Sequence, residues 1–117
     1  MASGIYYVGF ESVPKDLEAF LKTQGYNRPN IFHALNNFFE SRDGLVDMLY
    51  WHEPSRSEKG VPNWGKAGFN VVSEVFISTE EVKAAKEAEK IAVALARRYN
   101  AVLYNPSLDD YSRADKL

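Results

Sequence analysis

FNVVSEVFISTEEVKAAKEAEKIAVALARRYNAVLY, residues 69–104, is the stretch on which the reading of the fold turns. Its first nine residues, 69–77, are rich in β-branched and aromatic types and predict a strand. Along it Phe69, Val71, Ser73, Val75 and Ile77 share one side, and Asn70, Val72, Glu74 and Phe76 the other. Ser78 followed by Glu81 has the spacing of a capping box, which predicts that a helix starts there. Val82, Ala85, Ala88, Ile91, Ala92, Leu95, Ala96 and Tyr99 then fall on one wide stripe at helical spacing. The helix expected over 79–99 is about 30 Å long at 1.5 Å per residue. Its small apolar residues suit close packing on a sheet. Asn100 stands where a left-handed stop is wanted, and Ala101–Tyr104 reads as another strand, closed by Pro106.

Upstream, Ile5–Phe10 (IYYVGF) reads as the first strand. Ser12 and Pro14 suit a helix start, Leu17, Phe20 and Leu21 give one apolar face, and Gly25 is a natural stop, so a helix is expected over 13–24. A second helix is expected from Asn30 to Gly44, because Ile31, Ala34, Leu35, Phe38 and Phe39 recur at its spacing. Residues 45–53, LVDMLYWHE, read as a strand in which Asp47 marks a solvent-facing side. The segment 54–68 holds two Pro and three Gly and reads as a long loop, a kind that is usually functional or disordered. Residues 107–117 read as a polar, frayed tail, leaving one domain over 1–106.

The expected order is β-α-α-β-β-α-β. Two right-handed crossovers around a central hairpin give an α+β, ferredoxin-like split βαβ sandwich. That plan has a four-stranded antiparallel sheet with helices on one face and the other face left for solvent, a dimer mate or a ligand. The length of 117 residues fits one such domain. Hydrophobic residues at 45% and aromatics at 14% are enough for a core without cross-links. With no Cys, disulfides, thiolate catalysis and Cys-based metal sites are excluded. A net charge of −2 argues against a general polyanion binder. No run approaches the roughly 20 apolar residues of a membrane helix. The opening MASGIYYVGF lacks a secretory pattern, so a cytoplasmic location without membrane contact is expected.

Little in the sequence points to catalysis. Neither a nucleophile elbow nor a phosphate-binding loop is present, since Gly60, Gly65 and Gly68 are spread through a loop. His33 has no carboxylate one helical turn away. His52 and Glu53 alternate to opposite sides of a strand and cannot grip one metal. His52 therefore reads first as a strand-end histidine and second as a general base without a visible partner. The candidate acids Glu11, Asp47, Glu53 and Glu74 read first as solvated strand residues, and second as carboxylates that could pair, with Glu74 and Asp47 facing each other across the central hairpin. No metal or organic cofactor is expected.

Residues 40–53 are more informative. Glu40, Asp43, Asp47 and Glu53 stand against one base, Arg42, with Tyr50, Trp51 and His52 interleaved. Carboxylates beside aromatic anchors suit an interface with a basic protein, the rings supplying energy and the charges speeding encounter. Trp64 in the long loop is a further candidate anchor. The plainer alternative is that Trp51 is core and Trp64 plugs its own loop.

Two resemblances bear on function. The ending EAEKIAVALARRYNAVLYNPSLDDY resembles that of small bacterial proteins, some of which are toxin-neutralising immunity proteins. That resemblance implies a small acidic inhibitor that occludes a basic toxin or enzyme, and it transfers no individual residue. The strand IYYVGF, with Lys66–Phe69 and Val71–Val72, resembles the RNA-contacting strands of RNA-recognition motifs, which stack bases on sheet aromatics. Val71 stands where that family wants a second aromatic, and the chain is acidic, so nucleic acid is not the expected partner. The principal expectation is a protein-binding inhibitor using Glu40, Asp43, Asp47, Tyr50, Trp51, His52, Glu53 and Trp64. The alternatives are a ferredoxin-like dimeric enzyme with Tyr6, Tyr7, Tyr50, Trp51 and His52 around a hydrophobic substrate, and a homodimer closed through the open sheet face.

Overall fold

The computed structural model describes residues 4–26, 28–29, 38–41, 46, 48–54, 62–80 and 84–113, with the backbone alone described at 28, 29, 38–40 and 48. Among the described residues nine elements follow along the chain: β1 (Gly4–Phe10), α1 (Leu17–Thr23), β2 (Arg28–Pro29), β3 (Phe38–Glu40), β4 (Met48–His52), β5 (Ser73–Thr79), α2 (Ala85–Tyr99), β6 (Val102–Asn105) and β7 (Asp110–Arg113). The strands form one α+β sheet in the order β2-β3-β4-β5-β1-β6-β7. Every neighbouring pair is antiparallel.

The four strands expected from the sequence lie side by side in the middle, as β4-β5-β1-β6. The expected count of four gives way to seven among the described residues. Phe38 and Phe39, expected on a helix, belong to β3 and pair with Tyr50 and Leu49. The rest of that helix, at 30–37 and 42–44, lies outside the described residues. The supposed tail supplies β7, which pairs with β6 from Val102↔Arg113 to Asn105↔Asp110. A turn over 106–109 joins the two strands, with Asp109 at φ 48°.

Among the described residues Ser78 is not the cap of a helix. It lies within β5, opposite Ile5 on one side and Met48 on the other. Ladder bonds to two strands outweigh one local capping bond, so β5 runs on to Thr79. The helix starts at Ala85 instead, with no side-chain cap. Its far end matches expectation: Asn100 takes the left-handed conformation at φ 50°, ψ 47°. In the third expected strand, residues 69–72 fall outside β5. Phe69 and Val71 consequently pack on the opposite side of the sheet from Val75 and Ile77.

Both helices cover the same face. Leu17 and Leu21 of α1 and Ala88, Ile91, Ala92, Leu95 and Ala96 of α2 pack against Tyr6, Val8, Phe10, Leu49, Val75, Ile77 and Leu103. The alanine stripe explains the close fit, because small side chains bring a helix axis near the sheet. Outside that core, Asp16 joins α1 to α2 by accepting bonds from Arg98 and from the Tyr99 hydroxyl. No helix among the described residues is long and apolar enough to cross a membrane.

Leu95 is fully buried between α2 and the sheet. Leu95→Ala is expected to lower the unfolding free energy by roughly 2–5 kcal/mol in urea titrations, the range for a buried leucine truncation.

Candidate functional site

The side of the sheet that no described helix covers is built by register. Residues directly opposite in antiparallel strands present their side chains to the same face. Tyr50 lies opposite Phe76, Phe76 opposite Tyr7, Tyr7 opposite Tyr104, and Tyr104 opposite Tyr111. One aromatic residue per strand therefore crosses five strands. The rings tilt against one another, with centroids 5.1 Å apart for Tyr7–Phe76, 6.1 Å for Tyr7–Tyr104 and 4.4 Å for Tyr104–Tyr111. Tyr7, Tyr50 and Phe76 are half-buried.

Two residues along each strand runs a second row: His52 opposite Glu74, Glu74 opposite Gly9, and Gly9 opposite Val102. Gly9 leaves a notch, and Trp64 fills it. A Cβ at Gly9 would lie 3.0 Å from two Trp64 ring carbons and 2.8 Å from Val71 Cγ2. The indole Nε1–H donates to Glu74 Oε2 at 2.6 Å. The other carboxylate oxygen, Oε1, lies 3.2 Å from His52 Nε2. The Glu74 side chain is 2% exposed and that of His52 27%. A carboxyl group so deeply buried is tolerated because polar groups meet both oxygens. The His52 ring in turn packs on Tyr50, with centroids 4.7 Å apart.

The segment carrying Trp64 is an ordered turn. The backbone amides of Phe69, Gly68 and Ala67 donate to the carbonyls of Trp64, Gly65 and Asn63. The Asn63 amide donates to the Tyr111 hydroxyl at 2.9 Å, which fastens the turn to β7. Arg113 lies 5.0 Å over the Phe69 ring, and its Nη1 bonds Glu11 Oε1 at 2.6 Å. The far side of the sheet is thus covered at one end by 62–72 and half-open around Tyr7, Phe76 and Tyr50.

Charge acts across this face. Burial raises the Tyr7 phenol above its ordinary value, and the nearby Glu74 charge raises it further. Burial, together with the bond its hydroxyl donates to Asp109 Oδ1 at 2.8 Å, pushes Tyr104 up to about 12.

The expected site residues divide between places. Tyr50 and His52 stand on the aromatic face. Trp51 packs against the helix-side core, and Tyr6 points there too, its hydroxyl donating to Glu89. The five residues considered for an enzyme pocket are therefore split by strand alternation between two faces. Glu53 is exposed just beyond β4. Glu40 closes β3 with its backbone opposite Arg28. Asp43 and Asp47 lie outside the described residues. Trp64, expected as a surface anchor, is only 4% exposed and serves as a plug. Glu74, read first as a solvated strand residue, is buried instead, and register sets it opposite His52.

Phe76, Tyr104 and Tyr111 escaped the sequence reading as members of one surface. Alternation along β5 does put Phe76 and Glu74 on one side, but nothing local shows which tyrosines stand beside them. Among the described residues no three His, Asp or Glu side chains converge as a metal-ligand set. A cleft of about 500 Å³ opens elsewhere, on the helix side, lined by Lys22, Gln24, Tyr26, Glu87, Lys90 and Ile91 among others. Compared with family models, with curated proteins and with solved structures, the chain finds no match.

Two outcomes are expected. Trp64→Phe keeps a ring in the Gly9 notch and removes the indole donor from Glu74. It should cost roughly 1–3 kcal/mol of stability in urea unfolding, the range for a buried acceptor that loses its donor. Tyr104 gives a pH effect. A phenol whose folded value lies above its ordinary 10 stabilises the fold fully below pH 10 and loses that contribution as pH rises through about 12. Unfolding midpoints measured from pH 9 to 12 should therefore fall, and Tyr104→Phe should remove part of the slope.

Proposed function

We propose that this protein is a partner-binding module, a small cytoplasmic inhibitor of the immunity type, that acts by covering a basic protein such as a toxin. The central strands β4-β5-β1-β6 are read as the ferredoxin-like plan, extended by β3 and β2 at one edge and by β7 at the other. The contact surface is the side that no described helix covers, centred on Tyr50, Phe76 and Tyr7, with His52 and Glu53 at its border.

The observation that carries this reading is the half-buried pair Tyr7 and Phe76 in the middle of a sheet face that no described helix covers. Rigid rings of this kind bind at low entropic cost and dominate interface energies. The carboxylates at 40, 43, 47 and 53 lie around β4, the strand of Tyr50, in sequence and favour a basic partner. Exposed ion pairs contribute only about 0–1 kcal/mol each, so the charges select and steer while the rings hold. Trp64 takes no direct part, because its ring is spent on the Gly9 notch. Inhibition here is steric and requires no chemistry from the chain.

The test begins with affinity capture from the source cells, followed by calorimetry on the purified pair. Phe76→Ala is expected to weaken the complex at least tenfold while the far-ultraviolet spectrum stays that of the wild type. Association should slow as salt is raised. A complex whose affinity is untouched by both Phe76→Ala and Tyr50→Ala would overturn the reading.

A further inference from the structure

We propose that the Tyr7–Phe76 pair is the seat of an arginine side chain from the basic partner. The inference rests on the partner-binding reading and narrows it to one kind of anchor. Its basis is a pattern found twice among the described residues. Arg98 lies 5.0 Å over the Phe20 ring and 5.8 Å from the Tyr99 ring, and it pairs with Asp16. Arg113 lies 5.0 Å over Phe69 and pairs with Glu11. Both sites combine aromatic faces with a carboxylate, which suits a guanidinium: it is planar, weakly hydrated, and able to stack and hydrogen-bond at once.

The middle of the helix-free face has the same two ingredients. Tyr7 and Phe76 present half-buried rings 5.1 Å apart at an interplanar angle of 53°. Among the described residues no cation lies over either ring. Glu74 sits in the next row, on the strand that carries Phe76. Its negative charge is felt at the Tyr7 phenol. A cation arriving over these rings meets the negative faces of two π-systems and the field of a carboxylate set in a poorly screening interior. A neutral aromatic would gain the stacking alone.

The experiment is a nuclear magnetic resonance titration of the full chain, reading the Tyr7 and Phe76 ring signals. The probe is N-acetyl-arginine methylamide, run beside its lysine and citrulline counterparts. Saturable shifts at both rings are expected with arginine, at least threefold weaker binding with lysine, and no saturable shift with citrulline. Phe76→Leu should reduce the Tyr7 response to arginine at least threefold, and Glu74→Gln should narrow the gap between arginine and citrulline. Equal responses to arginine and citrulline would overturn the proposal. So would arginine shifts confined to other residues, or sedimentation showing that a second copy of the chain already covers these rings. An arginine failure alongside a partner complex that still buries Phe76 would remove the anchor and leave the binding reading intact. A complex that leaves Phe76 exposed would remove both.

Discussion

Strand β1 lies between β5 and β6, and the rest of the molecule is arranged around that placement. Being paired on both edges, it satisfies its backbone inside the sheet and is free to bury side chains on both faces. Tyr6, Val8 and Phe10 enter the helix-side core, while Tyr7 and Gly9 face the other way. The path from β5 through α2 to β6 passes over it, and the alanine stripe of α2 lies on that side. A polar residue at Val8 would strike the main core, whereas a bulky one at Gly9 would strike Trp64. One strand thus sets both the stability of the fold and the shape of its second face.

That second face has two unlike regions. Around Gly9 it is closed: the indole, Val71, Val102 and Tyr104 make a small satellite core, and Glu74 is held beneath it. Around Phe76 it is half-open, with rings in a row. The closed region accounts for a buried carboxylate in a place where an apolar residue would cost less. Glu74 meets the indole N–H, and removing it would orphan that buried donor. Glu74 also helps to raise the Tyr7 phenol, so a structural feature of the plug reaches the ring beside it.

The proposed partner-binding reading draws on this arrangement. The residues able to handle protons on the aromatic face are His52, Glu74 and the tyrosines, and Glu74 is already engaged with Trp64 and His52. Tyr6 and Trp51, needed to close a pocket around a small substrate, belong to the opposite face. Under that reading the half-buried rings of Tyr7, Tyr50 and Phe76 are what a flat or cationic group of a larger partner would meet.

Several features were legible along the chain because they depend on local periodicity. The apolar stripe of α2, the left-handed stop at Asn100, the strand character of 5–10 and 102–104, and the alternation that separates Glu74 and Phe76 from Val75 and Ile77 all follow from neighbours in sequence. Other features hung on partners far along the chain. Phe38 and Phe39 have helical spacing with Ile31 and Leu35, yet pairing with β4 makes them strand. Ser78 has the chemistry of a cap, yet two flanking strands claim its backbone. A long connection between β4 and β5 leaves their register unmarked in the sequence, so nothing local could set His52 opposite Glu74 or carry Trp64 back over Gly9. Sequence by itself determined which residues turn to the same side of each element, because that depends on the repeat of the element alone. Only the tertiary structure decided which elements meet and in what register, because those choices are made by long-range pairing and packing.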